Sequence, residues 1–179
     1  DVPIAISAFD ESALDEMGAS SLENVTNFVP TLDNAIFSNL IQAFSVEIRQ
    51  HGFTMLVATN GYDLDDEYTL LRSLLEHRVE GVALIGHDHS KETYNLLNIR
   101  NVPVVSMWNY KEDSLISCVG GENKEAGIEI AKHISSLRHT KIAMAFPNVE
   151  YNDRERDRKI GVVEYLNSQG ISIAKKWEK

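Results

Sequence analysis

Asp10, Asp33, Asn34, Glu122 and Arg158 are the residues whose types suit recognition of a small polar molecule. Asp10, Asp33 and Asn34 each follow an expected strand, and Glu122 opens an expected helix, so all four acceptors can line one rim. Carboxylates and an arginine fork are fitting partners for polyol hydroxyls or a purine edge. Taken singly, each is equally a cap or a surface charge. Asp33 or Asn34 also suits the N-cap of the helix that follows, and both readings stay open. Trp108 can stack on a sugar or base, or simply pack at the end of a core strand. His87-Asp88-His89 after a strand brings metal ligation to mind, but adjacent strand-end residues seldom point at one ion, so the tripeptide reads as a polar loop. Cys118 has no nucleophile context and reads as a small buried hydrophobe. The chain contains no Walker loop, Gly-x-Gly-x-x-Gly or hydrolase elbow, so neither catalysis nor a cofactor is expected.

The elements that must position these residues alternate in type. Val2–Phe9 reads as a strand ending at Asp10-Glu11, and Ser12–Met17 as one or two helical turns. Val25–Val29 is a strand stopped by Pro30. From Ala35 to His51 the residues Ile36, Phe37, Leu40, Ile41, Phe44 and Ile48 fall at helical spacing, and Gly52 closes the pattern as a C-cap. Phe53–Ala58 is an apolar run suited to a strand covered on both faces. Asn60-Gly61 marks a turn. Asp65, Asp66 and Glu67 then start a helix whose dipole favours them, with Leu70, Leu71, Leu74 and Leu75 inward and His77-Arg78 at its end. Strands at Gly81–Ile85, Val102–Met107 and Ile142–Phe146 and a helix at Ser90–Ile99 follow this rhythm. Asn109–Ser117 reads as a loop with a short extended piece. Further helices span Asn123–Leu137, with Ala126, Ile130 and Ile134 inward, and Asp153–Gln169, with Ile160, Val163 and Leu166 inward. Strand and helix joined by short connections imply an α/β fold with a parallel sheet and right-handed crossovers. Ligands of such sheets settle beyond the carboxyl ends of the strands.

At 179 residues the chain can bury the core of one ordinary domain. No apolar run is long enough to cross a bilayer, and the first residues lack a signal-peptide layout. A single cysteine leaves no internal disulfide and suits a reducing cytoplasm. The formal net charge of −10 argues against nucleic-acid binding by this chain itself. The basic residues of Asn152–Lys159 are interleaved with acids, which suits a solvated helix start better than a phosphate-tracking stripe.

Ordered motifs add a resemblance. They are Phe28-Val29-Pro30-Thr31-Leu32-Asp33-Asn34-Ala35-Ile36-Phe37, Gly52-Phe53-Thr54-Met55-Leu56-Val57-Ala58, and the run from Leu70 through Glu80-Gly81 to Ile85. Asn101-Val102-Pro103-Val104-Val105, Cys118-Val119-Gly120-Gly121-Glu122-Asn123-Lys124-Glu125-Ala126-Gly127, Arg138–Ala143 and Asn152–Gly161 continue them. Together they resemble the effector-binding body of the lactose-repressor/galactose-repressor (LacI/GalR) family of bacterial transcription regulators. The resemblance implies a periplasmic-binding-protein-like type I fold whose two lobes close over a sugar, sugar acid or nucleoside-like effector. It also implies effector contacts from Asp33, Asn34, Phe37, Glu122 and Arg158, with Glu122 standing where aspartate is usual. Homodimerisation through the first two helices of the lobe is expected on the same ground, as is a cytoplasmic location with no membrane partner. Ile4–Ser12 and Leu22–Thr26 resemble the family's late crossover, which makes Asp10 a further effector contact and the order of segments permuted. The expected organisation is therefore a crossover-like segment at 1–26, an N-terminal lobe at 25–150, and the start of a mostly missing second lobe at 151–179. No helix-turn-helix headpiece precedes the body, so operator DNA is expected to be met through a domain outside this sequence. A periplasmic solute-binding protein, and a flavodoxin-like enzyme or designed single-lobe scaffold, are the alternatives.

Overall fold

A buried strand must find backbone partners on both edges, and Asn24–Val29 (β1) does so. In the computed structural model, which describes residues 24–30, 35–147, 149–171 and 173, β1 lies between Thr54–Thr59 (β2) and Gly81–Ile85 (β3). Both ladders are parallel, with Phe28 opposite Ala58 and Asn27 opposite Ala83. The strands hydrogen-bond in the order β2-β1-β3-β4-β5, where β4 is Val104–Asn109 and β5 is Ser117–Gly121. The helices are Ala35–Gln50 (α1), Leu64–Glu76 (α2), Lys91–Arg100 (α3), Asn123–Ser136 (α4) and Asp153–Ser168 (α5). The alternation and sheet match the α/β fold expected from the sequence. The strand expected at Val2–Phe9, the turns at Ser12–Met17, and the candidate residues Asp10, Asp33 and Asn34 lie outside the described residues.

The described residues fall into two compact units. One comprises those up to Ile85 together with His89–Ser106, the other Gly86–Asp88 together with those from Met107 onward. In the first, Phe28, Leu56, Ala58, Leu71, Leu74, Leu75, Val82 and Leu84 form an apolar core. Helix boundaries follow local chemistry. Gly52 takes φ +86° after α1, Asp63 caps α2 by accepting from the Asp65 and Asp66 amides at 2.8 and 3.1 Å, and Ser90 caps α3. Glu67 lies in the first turn of α2 as expected, and is in addition buried at 3% exposure. It accepts from Asn60 Nδ2 at 3.1 Å and meets His89 Nδ1 at 2.9 Å, and these partners offset the loss of hydration.

The second unit has its own core of Ala131, Met144, Val162 and Leu166. Here the expected helix faces need correction. Ala126 and Ile130 are exposed, and Asn123, Gly127 and Ala131 point inward; on α5, Ile160 is exposed, and Gly161, Val162 and Leu166 are buried. The reason is a backbone-to-backbone crossing. A Cβ at Gly127 would overlap the Arg158 carbonyl oxygen, and one at Gly161 would overlap that of Lys124. Two glycines therefore fix which faces meet, overriding the larger apolar residues beside them. The strand expected at Ile142–Phe146 is reduced, among the described residues, to one bridge at Met144, because alternation supplies an apolar face but not a ladder partner. Its side chains join the core instead. Conversely, Ser117–Gly121, expected as part of a loop and an apolar stretch, is a strand: Gly120 lies where any Cβ would strike the Trp108–Asn109 backbone.

Gly127→Ala and Gly161→Ala should each destabilise the protein by about 1–3 kcal/mol, although alanine is the better helix former. Chemical denaturation of the two variants measures this; an unchanged or raised midpoint would show that the helices separate without cost.

Candidate functional site

Asn109 ends β4 with 1% exposure and stands at the centre of a polar network in the second unit. Its amide nitrogen donates to Asp153 Oδ2 at 2.8 Å and Asp157 Oδ2 at 2.9 Å. Its amide oxygen accepts from Asn123 Nδ2 at 2.8 Å. Asn123 also meets the Trp108 carbonyl at 3.0 Å, and its own amide oxygen accepts from Arg158 Nη1. Trp108 has φ +79°, a left-handed conformation costing a bulky residue on the order of 1–3 kcal/mol. The Asn123 bond to its carbonyl and the close pass of Gly120 hold that bend in place, and the next residue, Asn109, is buried.

Asp153, in the first turn of α5, is fully buried. Besides Asn109 it accepts from the His87 backbone N–H at 2.9 Å and from Arg154 Nη1 at 2.9 Å. Burial pushes its carboxyl pKa up. The Asn109 amide, the Arg154 charge, the His87 N–H and the more distant Lys111 outweigh burial and hold it below the ordinary carboxylate value. Gly86, at φ +79°, leaves the space that the Asp153 and Arg154 heads fill. Arg156 grips Asp88 with both nitrogens at 2.6 and 2.7 Å, and the His87 ring meets the Asn109 carbonyl at 2.8 Å. The His87-Asp88 pair is thus fastened to α5 and β4 in this unit, while His89 belongs to the other unit and its Glu67 contact.

Arg158 lies on the side of α5 that meets α4 and is partly exposed. Its Nε donates to Glu155 Oε2 at 3.4 Å and its Nη2 to Glu155 Oε1. Glu122 is exposed and makes no side-chain cap bond at the head of α4. Phe37 is buried at 7% exposure on α1 of the first unit. Of the residues singled out from sequence, then, Arg158 and Glu122 belong to the second unit and Phe37 to the first. Sequence reasoning passed over Asn109, Asn123, Asp153, Glu155 and Asp157. The usable signal was the set of acids interleaved in the basic run, together with an asparagine at the head of α4. Cys118 is half-buried and its Sγ lies 3.3 Å from the Lys111 carbonyl.

A sheet of this order with helices between its strands is the architecture of a periplasmic-binding-protein-like lobe. The chain belongs to the family of periplasmic binding proteins and sugar-binding domains of the LacI family, which its residues 23–177 match. It is 27% identical over 153 residues to the HTH-type transcriptional regulator GntR of Escherichia coli, covering 79% of this chain and 46% of that protein. The crystal structure of the transcription regulator GntR from Chromobacterium violaceum superposes with a TM-score of 0.78 at 27% identity, over 85% of this chain and 55% of that one. The periplasmic binding protein/LacI transcriptional regulator from Alkaliphilus metalliredigens, complexed with D-xylulofuranose, shares the fold with a TM-score of 0.71 at 21% identity, over 84% and 55%. The chain thus spans about half the length of these relatives. No helix among the described residues is long and apolar enough to cross a membrane.

Asp153→Ala leaves Arg154 and the Asn109 amide without their buried partner and should cost about 3–5 kcal/mol of stability at neutral pH. Because the folded pKa is depressed, this contribution is complete above the ordinary carboxylate pKa and is lost as pH falls through the lower folded value. Denaturation of wild type and variant across acidic pH should show the gap closing as pH falls; a constant gap would show that the carboxylate charge contributes nothing.

Proposed function

We propose that this chain is the effector-binding region of a LacI/GalR-like transcriptional regulator. The family match over residues 23–177 carries the reading. The effector is a small sugar-like or nucleoside-like molecule. Its proposed contacts are Asp10, Asp33, Asn34, Phe37, Glu122 and Arg158. Its binding shifts the balance between two lobe arrangements, and a helix-turn-helix domain outside this sequence converts that shift into operator affinity. The regulatory relatives and the sugar held by the Alkaliphilus protein support this reading over a catalytic one. The regulator works as a cytoplasmic homodimer, with α1 and α2 in the interface. The exposure of Ile36 at 59% and Val46 at 54% on α1 supports that choice of surface.

Arg158→Ala in the full-length protein should weaken effector binding about 10–100-fold, the worth of one charged hydrogen-bonding group. Titration calorimetry against a panel of pentoses, hexoses, aldonic acids and nucleosides, with circular dichroism to verify the fold, makes the test. Equal affinity in variant and wild type would remove Arg158 from the site.

A further inference from the structure

The run Asn152–Lys159 carries Arg154, Arg156 and Arg158, and each is already matched with a carboxylate. Arg154 holds Asp153 at 2.9 Å, Arg156 holds Asp88 through two bonds, and Arg158 holds Glu155 through two bonds. An arginine recognises a carboxylate best when two parallel N–H groups are offered together. On Arg158 the pair formed by Nε and Nη2 is taken by Glu155, and Nη1 is engaged with the Asn123 amide oxygen.

Glu155 is held in place by its backbone. It sits one helical turn before Arg158 on α5, and its N–H donates to the capping Asn152 side chain at 3.3 Å. An acid at that position often turns back toward the cap residue. Here it turns forward onto the guanidinium. The rest of the neighbourhood is acceptor-rich: Asp157 accepts from Asn109 through Oδ2, and the Glu122 carboxylate is exposed without a cap bond. Carboxylates of this kind accept from hydroxyl groups and repel a second carboxylate.

We propose that Glu155 is a specificity-determining residue that closes the Arg158 fork to anions, so that the effector is a neutral polyhydroxylated molecule rather than a sugar acid. This rests on the effector-binding reading above. A carboxylate ligand must displace Glu155 and leave it unpaired among other acids, whereas a sugar hydroxyl needs only one guanidinium N–H and donates its own proton to a nearby carboxylate.

The test is titration calorimetry of full-length wild type and Glu155→Gln with D-ribose, D-ribonate, D-glucose and D-gluconate as probes. Wild type should bind a neutral sugar at least about tenfold more tightly than its acid. Glu155→Gln should raise the ratio of acid to neutral-sugar affinity about tenfold. A purely structural role would move both ligands together, so an unaltered acid-to-neutral ratio in the variant overturns the inference. Wild-type preference for an acid does the same while leaving the effector-binding reading intact. Failure of both proteins to bind any of the four would count against that reading and remove the inference with it.

Discussion

The buried carboxylate of Asp153 is the constraint on which the second unit depends. A charge with no solvent exposure survives only if it is paired and hydrogen-bonded. It collects the Asn109 amide, the His87 backbone and the Arg154 guanidinium, and so ties the end of β4 and the turn at Gly86–Asp88 to the first turn of α5. Asn109 also extends the network. The Asn109 amide reaches Asp157 and Asn123, and Asn123 reaches Arg158. The orientation of the guanidinium is therefore set through a chain that starts at a residue with no access to any ligand.

A second constraint acts on the same arginine from the backbone side. The Arg158 carbonyl lies against Gly127, and the Lys124 carbonyl against Gly161, so α4 and α5 cross at the level of their main chains. That close approach brings Asn123 on α4 within reach of Arg158 on α5. Packing and the proposed recognition thus meet in one residue: its main chain lies against Gly127 and its side chain is partly exposed. Binding sites hold geometry best when supported by such rigid elements.

Charge pairing gives the site its chemical character. A basic run suggests anion binding until its arginines are found committed to Asp153, Asp88 and Glu155. The excess of acids over bases in the whole chain agrees with this. It also agrees with the proposal that operator DNA is met by another domain, since a body of this charge would be repelled by phosphate. The chemistry presented is that of mixed donors and acceptors suited to hydroxyl groups.

The sequence by itself determined the alternation of strand and helix, the caps at Gly52 and the turn at Asn60-Gly61, the leucine face of α2, and the family, because these follow from local spacing and ordered motifs. It also singled out Arg158, whose place before Ile160-Gly161 belongs to a motif. It misjudged the inward face of α4 and the place of Ile160 on α5, while Leu166 is buried as expected, since periodicity weighs apolar bulk whereas the fold used glycine to bring two backbones together. It placed Glu67 in the first turn of α2 but missed its burial, because nothing nearby in sequence announces His89 and Asn60 as partners. The short strand at Ser117–Gly121 escaped notice because a ladder is made by its neighbour and needs no apolar pattern of its own. Only tertiary structure decided that Arg156 takes Asp88, and which amides link the carboxylates. Those pairings join residues tens of positions apart, such as Asp88 with Arg156 and Asn109 with Asp153, and side-chain type alone leaves many partners equally admissible until the backbone brings one within about 3 Å.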